Sequence, residues 1–169
     1  MATSAELGIE RTLVLLKPDA VGRGLSGRIT ARFEDALLKI VGVKMKLIDA
    51  DLARKHYFDL EERRGTEVFN TTASFMQTGP VIAFVLEGVG AVAKVRQIVG
   101  STFSNEATPG TIRGDFAHQT KASANVSGKA IINLIHASAN SEEAKYEVEL
   151  WFSDDELFTY ETAAEKFAY

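Results

Sequence analysis

The chain has 169 residues, 46% of them hydrophobic and 25% charged, with no cysteine and a formal net charge of −4. That length supports one domain with a core of its own, and the missing thiols exclude disulfide scaffolds, thiol catalysis and thiolate metal sites. The acidic balance argues against general binding to nucleic acid or anionic membrane, both of which require a basic field.

Apolar runs such as Val81 to Leu86 fall far short of the roughly 18 residues that span a bilayer. The opening MATSAELGIE carries two glutamates and no basic residue, unlike a secretory signal or a transit peptide. The expectation is a cytoplasmic protein.

Thr12 to Leu16 is a continuous apolar run closed by Lys17-Pro18-Asp19, which suits a buried strand and a turn. Ser26 caps a helix with Ile29, Phe33, Ala36, Leu37 and Ile40 at helical spacing, and Gly42 stops it. Val43, Met45 and Leu47 alternate with lysines in a half-exposed strand ending at Asp49, and Asp51 caps a short helix through Phe58. A second helix covers Val68 to Gln77, and Gly79-Pro80 breaks it before the strand Val81 to Leu86.

Gly88 and Gly90 turn the chain into a helix over Ala91 to Val99, and Gly100 to Gly114 reads as a long loop. Ala117 to Lys129, rich in Ala, Ser, Asn and Gly, lacks sustained periodicity and reads as an exposed, mobile loop insertion. Ile131 to His136 is a short strand. Asn140 or Ser141 then caps a helix buried along Ala144, Val148 and Trp151, and the tail folds back on the domain. Helices interleaved with about four strands indicate an α/β or α+β sandwich, and the ferredoxin-like split βαβ plan is one of few that fit.

Gly22-Arg23-Gly24-Leu25-Ser26-Gly27 matches G-x-G-x-x-G, and Asp49 follows at the distance of a ribose-binding acid. In a dinucleotide fold, however, the glycine turn follows its strand almost directly. Here Lys17 to Val21 intervenes and arginine sits within and beside the motif, so glycines turning the chain into a helix are favoured.

His56 falls in a charged helix and His118 in a polar segment, and both read as solvated surface residues. His136 ends an apolar strand in N-L-I-H-A-S, where packing can fix the ring while the strand end exposes it. Lys17, Arg96, Thr102 and Arg113 supply anion donors elsewhere in the chain.

From E-R-T-L-V-L-L-K-P-D-A at Glu10, through S-F-M-Q-T-G-P-V, P-G-T-I-R-G-D-F and N-L-I-H-A-S, to L-W-F at Leu150, the chain resembles the nucleoside diphosphate kinases. The resemblance implies a four-stranded antiparallel ferredoxin-like sheet covered by helices, an α+β fold. It also implies a ping-pong transfer of a γ-phosphate through a histidine. By motif, His136 is the nucleophile and Glu147 holds its other ring nitrogen, while Lys17 contacts the transferring phosphate and the sugar beside Tyr57. Arg96, Thr102 and Arg113 hold the β and γ phosphates, Asn133 holds the ribose 3′-hydroxyl, and Val68 stands at the base-stacking position. Mg²⁺ arrives bridging the phosphates. The partners implied are nucleoside di- and triphosphates and further copies of the chain, a hexamer being favoured.

Two departures stand out: His136-Ala137-Ser138-Ala139 replaces the family's H-G-S-D, and Val68 replaces a phenylalanine. They make a catalytically silent nucleotide-binding or scaffolding relative the rival reading. Lys17, Arg96, Thr102, Arg113, Asn133 and Glu147 occurring together argue against it.

Overall fold

The computed structural model describes residues 6–168; residues 1–5 and 169 of the expected 1–169 domain lie outside the described residues. Four strands form one sheet: β1 (Ile9–Leu16), β2 (Lys39–Lys46), β3 (Val81–Val89) and β4 (Ile135–Ala137). The order is β2-β3-β1-β4 and every neighbouring pair is antiparallel. Helices α1 (Pro18–Gly22) and α2 (Ser26–Glu34) lead from β1 to β2. Helices α3 (Ala50–His56), α4 (Leu60–Arg64) and α5 (Thr66–Met76) lead from β2 to β3. Helices α6 (Ala91–Val99), α7 (Ile112–Phe116) and α8 (Lys121–Ser127) precede β4; α9 (Ser141–Trp151) and α10 (Glu165–Ala168) follow it. This is the expected ferredoxin-like α+β sandwich.

Strand β1 lies inside the sheet with helices over both faces of its second half, which is why Leu13 to Leu16 are apolar without alternation. Leu13 and Leu15 join a core with Leu52 of α3, Phe69 and Met76 of α5 and Trp151 of α9. Val14 and Leu16 face the opposite way, toward Ile29 and Phe33 of α2, Val95 of α6 and Ile112 of α7.

Several boundaries differ from the expectation. Helix α2 ends at Glu34, and Leu37 takes a positive φ of 63° that turns the chain into β2. Gly42 therefore lies within β2, where a Cβ would sit 2.9 Å from Leu157 Cδ2; the glycine admits the returning tail rather than stopping a helix. Asp49, not Asp51, caps α3, its carboxylate accepting from Leu52 N at 2.8 Å. Gly88 continues β3, and Gly90 alone makes the turn, at φ 56°. The tail does fold back: Phe158 N donates to Val41 O at 2.8 Å and Tyr160 Oη to Ile40 O at 2.6 Å.

The largest correction concerns the expected exposed loop at 117–129. Its centre is helix α8, closed at the start by a capping box between Thr120 and Ser123 and at the end by Gly128 at φ 62°. Ala124 is buried and every other residue of the helix is exposed, so the segment is exposed as expected but helical. Local capping, rather than a long apolar stripe, makes this helix, so periodicity did not reveal it.

Candidate active site

Strand β4 runs beside β1 with His136 opposite Leu15, so its imidazole shares the face of Leu13 and Leu15 and turns toward α3 and α9. It lies inside the short strand rather than at the end of a longer one. On α9 the buried stripe is Ala144, Glu147, Val148 and Trp151, which sets a carboxylate among apolar neighbours. Nε2 of His136 approaches Glu147 Oε1 to 2.7 Å. The contact lies off the hydrogen-bond axis, since the same nitrogen is buried without an in-line partner. Ser138, two residues on and wholly buried, donates to the other carboxylate oxygen at 2.6 Å and so fixes Glu147.

His56 also belongs here, contrary to its reading as a surface residue. It is only 5% exposed, with Nδ1 3.4 Å from Glu147 Oε1, and it accepts from Trp151 Nε1 at 3.4 Å. Its ring meets those of His136 and Tyr57 edge-on, at 4.5 and 4.6 Å between centroids. The signal was present in the sequence: Leu52, Ala53 and His56 occupy one face of α3, and a polar residue in the apolar phase of a helix is a site candidate. Tyr57 follows it, with its hydroxyl buried and unpartnered.

On the other side stand the cations. Lys17 Nζ donates to Asn133 Oδ1 at 2.8 Å, and Asn133 Nδ2 donates to Thr102 O at 2.9 Å. Arg113 gives three N–H donors to carbonyl oxygens: Asn133 at 3.1 Å, Gly100 at 3.1 Å and Ile135 at 2.6 Å. A guanidinium has five donors, so two remain for an anion. Arg96 and the Thr102 side chain are exposed. Val68 lies on the outer side of α5, 44% exposed, while neighbouring Phe69 is buried under the Arg54 guanidinium, 5.0 Å from its ring centroid.

The electrostatics follow from this packing. Burial, then the charges of Lys17, Arg113 and Arg96, pull the His136 pKa down to about 3, so the ring is neutral at pH 7. Burial and His136 similarly lower His56 to about 3. Burial pushes Glu147 upward, against His56 and the Ser138 hydrogen bond. Burial and Arg113 lower Lys17 to about 8, partly offset by Asp19.

The departures at 137 and 139 leave the backbone sound. Ala137 completes β4 without a positive φ, and Ala139 N donates to Glu143 Oε1 at 3.2 Å. His56, His136 and Glu147 each offer one donor atom within 4.8 Å of the others. Two of the three donors are nitrogen, a poor set for Mg²⁺, which prefers oxygen.

Fold and pocket together define an α+β protein of the ferredoxin-like class, with a neutral histidine between a buried carboxylate and a group of cations. Residues 10–157 match the family model described as nucleoside diphosphate kinase, and the chain belongs to that family. Its activity is that of a nucleoside diphosphate kinase, a phosphotransferase acting on nucleotides. It is 48% identical to the nucleoside diphosphate kinase of Pyrococcus horikoshii over 158 residues, covering 94% of each chain. Identity to the Borreliella burgdorferi enzyme is 43% over 154 residues, covering 90% of this chain and 92% of that one. Among solved structures, a transition state mimic of the Borrelia burgdorferi kinase with bound vanadate and ADP superposes with a TM-score of 0.91 at 42% identity, covering 94% of this chain and 96% of that one. The Halobacterium salinarum kinase in complex with CDP gives 0.82 at 41% identity, covering 95% and 98%.

Proposed function

We propose that His136 carries the phosphoryl group in a ping-pong exchange between a nucleoside triphosphate and a nucleoside diphosphate. The observation that carries this is the 2.7 Å approach of Glu147 to Nε2 on a ring kept neutral by burial. With the ring proton on Nε2, the Nδ1 lone pair attacks the γ-phosphorus and the bond to the β-phosphate oxygen breaks. The diphosphate leaves, and the second half-reaction reverses these steps onto a new diphosphate. Glu147 balances the positive charge that the phosphorylated ring acquires, and Ser138 holds Glu147 in place.

Lys17 and Asn133 meet the transferring phosphate and the sugar hydroxyl, with Tyr57 beside them. Arg113, through its two remaining donors, together with Arg96 and Thr102, meets the β and γ phosphates. Val68 stands at the base, and its aliphatic side chain offers little stacking surface, which predicts weak base discrimination. Mg²⁺ supplies charge neutralisation on the phosphates when bound. It is carried by their oxygens, consistent with a protein side built of cations and nitrogen donors.

The same proposal includes a cytoplasmic homo-oligomer, a hexamer before a tetramer. Exposed Val43, Met45 and Leu47 along and just beyond the edge strand β2 support association. No helix among the described residues is long and apolar enough to cross a membrane. Incubation with γ-labelled ATP and Mg²⁺, followed by mapping of the acid-labile label, tests the assignment. Label on His136 is expected, and label elsewhere overturns it. Light scattering tests the oligomer, and a monomer refutes it.

A further inference from the structure

The residue before β4 is strained. Leu134 has φ 69°, and Ile135 N donates to Asn133 O across it at 2.8 Å. A hydrogen bond between residues two apart, around a positive φ, is the rare and strained form of γ-turn. A leucine held there is strained, so neighbouring groups must over-determine it. The elbow joins Asn133 to His136, and any relaxation of Leu134 re-aims both.

Three side chains or backbones grip it. Lys17 N donates to Leu134 O at 2.9 Å. Arg113 holds the carbonyls on either side, those of Asn133 and Ile135. The Leu134 N–H, on a wholly buried residue, finds its partner in Asp19 Oδ2 at 2.9 Å. Oδ1 of Asp19 is buried without a partner, and the Asp19 charge acts on both Lys17 and Arg113.

We infer that Asp19 is a positioning residue for phosphotransfer: by accepting from the Leu134 amide it holds the strained turn that aims Asn133 and His136 at the nucleotide. The inference rests on the phosphohistidine reading above. Lys17 and Asp19 flank Pro18, so the chain segment that supplies a phosphate-facing cation also supplies the acceptor that sets the nucleophile's strand. Without Asp19 the Leu134 N–H is a buried orphan, and the turn gains by relaxing toward negative φ.

Asp19→Ala and Asp19→Asn separate this role from a bulk structural one. Single-turnover phosphorylation by ATP and amide hydrogen exchange at Leu134 are measured on the full chain, with thermal melting to report folding. Asp19→Ala is expected to slow phosphoenzyme formation about 10- to 100-fold and to expose the Leu134 amide. Asp19→Asn keeps a carbonyl acceptor and is expected to stay within about threefold of the parent with the amide protected. Should the alanine variant not fold, the asparagine variant decides alone: a fall of more than tenfold overturns the inference. A protected Leu134 amide in a folded alanine variant also overturns it. If the parent chain itself takes no label on His136, the phosphohistidine reading falls, while the exchange data still report whether Asp19 holds the turn.

Discussion

The His136 pocket and the segment around α8 adjoin in sequence and are built by opposite means. The pocket is tied by bonds between distant parts of the chain: Lys17 to Asn133, Asp19 to Leu134, Ser138 to the Leu13 backbone. Helix α8 is tied by bonds within three residues, Thr120 with Ser123 and Ser127 with Ala124. The first region exists only when the whole sheet exists, so substitutions there act on chemistry and stability together. The second forms from its own caps, so changes there stay local.

The comparison breaks most sharply at the nucleophile. His136→Ala is expected to lower nucleotide exchange by about 10⁴-fold or more and to abolish the phosphoenzyme, with the fold retained by circular dichroism. Persistent label on the variant means that the pocket is not where transfer occurs. Glu147→Gln keeps the size of the side chain and removes its charge. Loss of a charge that stabilises the phosphorylated ring is expected to cut kcat by about 10²-fold, with nucleotide KM changed far less. A variant that loses KM instead places Glu147 on substrate binding.

Acid should loosen the pocket and spare the helix. His56 and His136 both have folded pKa values depressed to about 3, so below the unfolded value of about 6.5 the unfolded chain takes up protons that the folded chain refuses. Stability is therefore fully present above pH 6.5 and falls toward pH 3, each histidine contributing at most about 1.4 kcal/mol per pH unit. Glu147, raised by burial, works in the other direction above its unfolded value. The window in which the histidines take up protons only in the unfolded chain runs from about pH 3 to about 6.5. Urea unfolding of the parent and of His56→Gln across that window should give the variant a clearly shallower slope. Equal slopes would mean that His56 is protonated in the folded chain.

Legibility in the sequence divides along the same line. The apolar run of β1, the Asn140 cap of α9 and the order of elements were readable, because burial on both faces and capping leave local marks. Lys17, Arg113, Asn133, His136 and Glu147 were found through motif resemblance, and the structure brings them to one place. His56, Ser138 and Asp19 escaped, because their importance lies in partners on other strands and helices. The helix of α8 escaped for the contrary reason: it has caps and almost no buried stripe, so hydrophobic periodicity had nothing to register.

The smallest effect is expected from removing α8 itself. The nine steps from Thr120 to Lys129 at 1.5 Å each span about 13 Å, a gap that four glycines joining Thr120 to Lys129 can bridge. Val126 is 92% exposed and only Ala124 is buried in this helix, so the apolar burial lost amounts to about 1 kcal/mol. The shorter connection also lowers the closure entropy by about 0.6 kcal/mol per halving of loop length, which offsets part of that loss. Gln119, which accepts from Ile132 N, stays in place and keeps the entry to the Asn133 elbow anchored. The replacement should therefore lower Tm by only a few degrees. Saturated transfer should stay within about threefold, since no donor to His136 or its cations comes from residues 121–128. Exchange kinetics at low and high salt check whether Lys121 adds a screened phosphate contact, read as a rise in nucleotide KM at low salt alone. Loss of most activity with an unchanged melt would make α8 a working wall of the site and erase the contrast between the two regions.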